Sequence, residues 1–262
     1  MKIRKKVFFI MLIIFLVLIL ISVGVISALA KKNVAAMNRC IDTVLEELNQ
    51  NYTVTPLDPG EFKELTFFRV LKFNVEQYDI EELGNLSVMR VNMGMMQMAT
   101  AIITPRSKNL PLLSIDYMYT LSNRKAYLEF YDLVKEKDAQ YLQLMDALGA
   151  VEHNYTHLEE FEPSEAWYDE LLTAASFKSA TSKADADLIQ MLAESLQIYL
   201  EHGKKLPVLS EAECQEKLEL TTTYTNGLIE KGGVSTDIFK KQLGVETTRR
   251  FFDTVFFGTA VK

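Results

Sequence analysis

The sequence predicts an α+β protein in which helices cover a mainly antiparallel sheet. Three observations carry this. Residues 62–120 are rich in Phe, Val, Ile, Tyr and Met and alternate as strands do. Residues 34–50 and the chain after 132 show helical spacing instead. The gaps between strand-like runs are short, whereas parallel strands need crossovers of about a dozen residues or more.

The elements follow in order. Residues 7–30, VFFIMLIIFLVLILISVGVISALA, carry no charge. A membrane-spanning helix needs about 20 apolar residues and a signal-peptide core only about 7–15, so a retained anchor is expected. Ala28-Leu29-Ala30 also resembles a cleavage site, which keeps a cleaved leader open. Four basic residues precede the run and two follow it. This favours an internal N-terminus, with the following domain outside the cytoplasm.

Two regions are expected: a basic flank and anchor over 1–32, and one domain over 33–262. Val34, Met37, Ile41, Val44, Leu45 and Leu48 share a helix face. Pro56, Asp58, Pro59 and Gly60 then break the chain. Residues 122–125, Ser-Asn-Arg-Lys, read as the turn of an antiparallel hairpin. Further on, Leu188, Leu192, Leu196, Tyr199 and Leu200 form an apolar stripe. Ser235 suits a helix start and Gly244 a helix end.

Charge and composition exclude several functions. Residues 1–32 hold six of the 28 basic residues and no acid. The remainder sets 22 basic against 35 acidic residues, a net of −13. Such a domain is a poor partner for nucleic acid and repels acidic proteins. The chain has no glycine-rich phosphate loop, nucleophile elbow, CxxC or HExxH pattern. Cys40 and Cys214 fit two unconnected thiols.

The most telling candidate is Asp116, set among Leu112, Leu113, Ile115, Tyr117 and Met118. A buried carboxylate costs several kcal/mol unless paired or protonated. In an apolar pocket it keeps a proton near neutral pH and can pass it to a substrate. Strand alternation alone also permits a solvent-facing Asp116, because Ser114, Met118 and Thr120 on its face are half polar. His153 and His157, in EHNYTHLEE, stand four apart but fit a solvated surface better than a metal site. Met89, Met93, Met95, Met96 and Met98 suit either a core or an adaptable ligand wall. Arg106 with Lys108, and Arg249 with Arg250, are the anion-binding candidates.

Two stretches then show a family resemblance. TPRSKNLPLLSIDYMY, residues 104–119, resembles the central strands of the ferredoxin-dependent bilin reductases: Pro-Arg, a polar bend, Leu-Pro, then an apolar strand with an Asp. YTNGLIEKGGVSTDIFKKQLGVETTRRFFDTVFFG, residues 224–258, resembles that family's C-terminal signature. Trp167 and residues 188–200 fall where the family has a tryptophan region and a helix.

The resemblance implies an α/β/α sandwich and a linear-tetrapyrrole pocket between the sheet and the C-terminal helices. It implies no bound cofactor, and electrons that arrive singly from an external donor such as ferredoxin. Asp116 falls on the family's catalytic aspartate. Arg106, Asn92, Thr100, Met98, Met118 and Arg249 are the residues expected around the substrate. Three positions depart from the family. Ala99 or Thr100 stands where some members have a histidine, Asn92 where there is a glutamate, and Lys231-Gly232 where there is an Asn-Asp pair. Ferredoxins are acidic and cytoplasmic, which sits poorly with the −13 domain and the orientation above. A non-catalytic ligand-binding or membrane-tethered interaction domain of the same fold is therefore the alternative.

Overall fold

The computed structural model describes the backbone of residues 2–233 and 235–260, with side chains from residue 24 onward. The chain opens with one long helix, α1 (Lys2–Asn51). The expected anchor–domain boundary at 32/33 falls inside this helix. The apolar run itself lies mostly outside the described side chains, and among the described residues no helix is long and apolar enough to cross a membrane.

Among the described residues nine strands follow: β1 (Val54–Leu57), β2 (Glu64–Phe67), β3 (Leu71–Ile80), β4 (Gly84–Asn92), β5 (Met96–Pro105), β6 (Leu112–Thr120), β7 (Asn123–Tyr131), β8 (Glu159–Glu160) and β9 (Leu172–Thr181). Every pairing is antiparallel, in the order β1-β3-β4-β5-β6-β7-β9-β8, with β2 also on β3. The remaining helices are α2 (Ala139–Asn154), α3 (Asp185–Lys205), α4 (Glu211–Lys231), α5 (Thr236–Leu243) and α6 (Val245–Phe251).

The period of two along each strand creates two separate cores. On one face Leu86, Val88, Ala101, Ile103, Ile115 and Leu128 pack under α1, α2 and α3. The predicted helix stripes supply the cover: Met37, Ile41, Val44 and Leu48 from α1, and Leu188, Leu192, Leu196, Tyr199 and Leu200 from α3, all buried. On the other face Phe73, Val75, Met89, Ile102 and Leu112 pack under α4, α5 and α6. The result is helix–sheet–helix layering around an antiparallel sheet.

Three expectations need correction. The region after 132 is not all helical: β9 closes the sheet against β7. Its sequence, LTAASFKSAT, is small and polar on both faces, so it carries no apolar alternation. The β6–β7 turn is shorter than expected, since Thr120 already pairs with Asn123. Leu121 takes φ +52° in that turn, and the Asn33 side chain of α1 donates to its carbonyl at 3.0 Å. Ser235 precedes α5, but its side chain does not cap it. The capping box lies instead at Ser210 and Glu213, which start α4.

The last turns of the chain form the roof over the second face. After α6 a short π-helical turn, Phe252–Phe256, leaves backbone carbonyls without helical partners. Polar side chains from β3 and β4 take them up. Gln77 donates to the Thr254 carbonyl at 2.9 Å, Asn85 to that of Val255 at 3.1 Å, and Ser87 to that of Phe256 at 2.6 Å. Gly258 follows with φ +64°, and a Cβ there would lie 2.6 Å from Asn85 Cγ. Only glycine lets the chain pass this close.

Candidate functional site

Between the second sheet face and the C-terminal helices lies an open-mouthed cavity of about 190 Å³. The floor is set by strand alternation. Met98, Thr100 and Ile102 of β5 face it, as do Leu112, Ser114, Asp116 and Met118 of β6, and Tyr127, Glu129 and Tyr131 of β7. The roof is aromatic: Tyr224 from α4, Phe239 from α5, and Phe252, Phe256 and Phe257 from the terminal turn. Tyr168 and Asp169 close one side. Among the described lining residues there is no Lys, Arg or His, so the acids have no cation partner inside.

Asp116 lies mid-strand on the floor. Thr100, directly opposite it on β5, donates its hydroxyl to Oδ1, and Ser114 donates to Oδ2 at 3.3 Å. Burial raises the Asp116 pKa above the usual carboxylate value, and the two hydroxyl donors oppose that in part. Glu129 stands on the adjacent strand, paired with Ser114. Burial, then the charge of Asp116, push its pKa up to about 8, while Tyr131 opposes the shift. Burial likewise holds the Tyr224 and Tyr131 phenols protonated well above their ordinary value.

This frame can be compared with known proteins. No family model matches the chain, and no curated protein matches it by sequence. Among solved structures it superposes on phytochromobilin synthase from tomato, solved in complex with biliverdin. The TM-score is 0.69 at 13% identity, over 85% of this chain and 84% of that one. The fold is that of a bilin reductase. At this identity the likeness is one of fold, and the roles of side chains rest on geometry.

Within the bilin-reductase fold, the residues expected from sequence divide into two groups. Asp116, Thr100, Met98 and Met118 converge on the cavity, and Met89 joins them. Arg106, Asn92 and Arg249 do not line it. Arg106 lies just past the end of β5, and the five strand steps from Thr100 to Pro105, at about 3.4 Å each, already carry the chain roughly 17 Å away. There it pairs with Asp79 at 2.7 Å. Asn92 has the wrong parity on β4, where Met89 and Val91 face the second core. It ends the strand, accepting from Gly94 N and Gln97. Arg249 is held by Asn226 of α4. The two histidines do not share a helix face, because α2 ends at Asn154 and His157 instead meets Asp187 at 3.3 Å.

Sequence reasoning missed Glu129 and the tyrosine wall. The signal existed in NRKAYLEFY, where Arg124, Ala126, Leu128 and Phe130 are buried and the odd-numbered residues point the other way. Pairing β7 to β6 through the hairpin then puts Glu129 beside the Asp116 face.

Proposed function

We propose that the cavity binds a linear tetrapyrrole and that the protein reduces it, with Asp116 supplying a proton. The observation that carries this reading is the Asp116 carboxyl. It is held by two hydroxyls on the floor of a cavity that is roofed by aromatic rings, in a fold whose tomato example holds biliverdin. Tyrosine and phenylalanine faces suit a flat conjugated ligand, and the methionines adapt to its edges. Propionate carboxylates find no cation among the lining residues, so they project through the mouth into water. Electrons come singly from an external donor such as ferredoxin, with no bound cofactor.

The test adds biliverdin to the full-length chain in detergent micelles and then supplies reduced ferredoxin. The reading expects a shifted bilin absorption on binding and a further change on reduction. The D116N variant should bind but not turn over. An unchanged spectrum would refute it.

A binding-only role is the second reading. Ala99 or Thr100 standing where some family members have a histidine, and the lack of cations among the described lining residues, both favour it. Binding without turnover by the wild type would select it. We also propose residues 1–32 as a membrane anchor. A reporter fused at Lys262 tests which side the domain occupies. An external domain rules out a soluble cytoplasmic donor and leaves the binding-only role.

A further inference from the structure

We propose that Glu129 is a second proton-donating carboxyl of this site, paired with Asp116 on one wall, so that a bound conjugated ligand meets one acid for each proton of a two-electron reduction. This deepens the reading above and rests on it for the identity of the ligand.

The geometry comes from the β6–β7 register. Ser114 pairs with Glu129 and Asp116 with Tyr127, so Asp116 and Glu129 are diagonal neighbours on the same face. Such diagonal positions lie about 7–8 Å apart. Both side chains line the one cavity. A flat, extended molecule lying over β6 and β7 is in reach of both acids at different atoms.

The surroundings keep protons on these groups. Facing Glu129 are Asp116 from β6, Tyr127 and Tyr131 from its own strand, Tyr224 from α4 and Asp169 beside the mouth. None of these is a cation. Two carboxylates charged together on such a wall would repel each other with no counter-charge, so protons leave the pair in coupled steps. Glu129 also has Tyr131 as a hydrogen-bond partner. A purely structural role would therefore be to hold that tyrosine, and the test must separate the two.

The step balances. Two electrons enter the ligand one at a time from an external one-electron reductant. The O–H bonds of Asp116 and Glu129 break, and two new bonds to hydrogen form on the ligand. Both carboxylates then regain protons from water at the mouth.

The experiment uses the full chain in detergent micelles, biliverdin as probe and reduced ferredoxin as donor. E129Q should bind biliverdin within about threefold of wild type and turn over at least tenfold more slowly. The loss of wild-type rate on the alkaline side, near pH 8, should vanish in E129Q and return in E129D. Wild-type turnover with an unchanged pH limb in E129Q overturns the proposal. So does an equal loss of bilin binding in E129Q and E129D, which marks a structural residue.

An infrared titration of the unliganded protein gives a readout free of turnover. A protonated-carboxyl band should persist at pH 7, and its Glu129 component should disappear near pH 8. That component should be absent in E129Q, where the Asp116 carboxyl remains, and should move to lower pH in D116N. If biliverdin fails to bind while this band behaves so, the bilin reading falls and the paired acids stand. If the band is missing at pH 7, the pairing falls whatever the ligand.

Discussion

Thr100 and Asp116 are directly opposed across β5 and β6, and the threonine hydroxyl donates to the carboxyl Oδ1. This contact favours the charged form of a group that burial otherwise keeps protonated. The T100V variant removes the donor and leaves shape nearly intact, so the Asp116 pKa rises further. A carboxyl whose folded pKa is raised contributes stability below its unfolded pKa and loses it as pH rises through the folded one. T100V should therefore cost more at pH 9, by about 1–2 kcal/mol, than at pH 5. Urea unfolding at both pH values decides it, and an equal cost at both contradicts it.

Glu129 makes a second pH-dependent contribution. Its pKa is held up to about 8, above the ordinary 4.5. The stability it contributes is full below about 4.5 and is lost as pH rises through about 8. E129Q has nothing to ionise, so its thermal stability should change less between pH 5 and pH 9. At pH 9 it should exceed wild type by on the order of 2 kcal/mol, discounted for contact with cavity water. Parallel melting curves across that range would contradict this.

The roof depends on polar residues of the sheet. Asn85 is 1% exposed, accepts from Gln77 at 2.8 Å and donates to the Val255 carbonyl. N85A removes the donor to the Val255 carbonyl and one of the two acceptors of Gln77 Nε2, and should cost about 1–3 kcal/mol. S87A loses one bond and should cost about 1 kcal/mol. Amide exchange of residues 252–257 should quicken in both variants. If it stays at the wild-type rate, the terminal turn is held by something else.

Gly227 on α4 leaves room for the single tryptophan. A Cβ there would lie 2.4 Å from the Trp167 ring, whose Nε1 donates to the Gly232 carbonyl at 2.8 Å. G227A should push the ring off the helix, at a cost of about 1–3 kcal/mol. Because the chain has one tryptophan, its emission reports the change directly. A red shift is expected, and unchanged emission would show that the ring can stay in place.

The sequence by itself determined the class of the fold. Alternation over residues 62–120 marked the strands, and helical spacing in α1 and α3 marked the faces that cover them. Both signals are local, so both are readable along the chain. Four residues of the cavity floor, Asp116, Thr100, Met98 and Met118, were legible because two neighbouring strands supply them. Tertiary structure decided the rest. Strand β9 lacks an apolar pattern and is a strand only because β7 offers its free edge. Register and distance removed Arg106, Asn92 and Arg249 from the site, and the same register brought Glu129 to Asp116. Which side chains meet depends on how strands pair and which helices fold over them, and that is set by contacts between residues far apart in the chain.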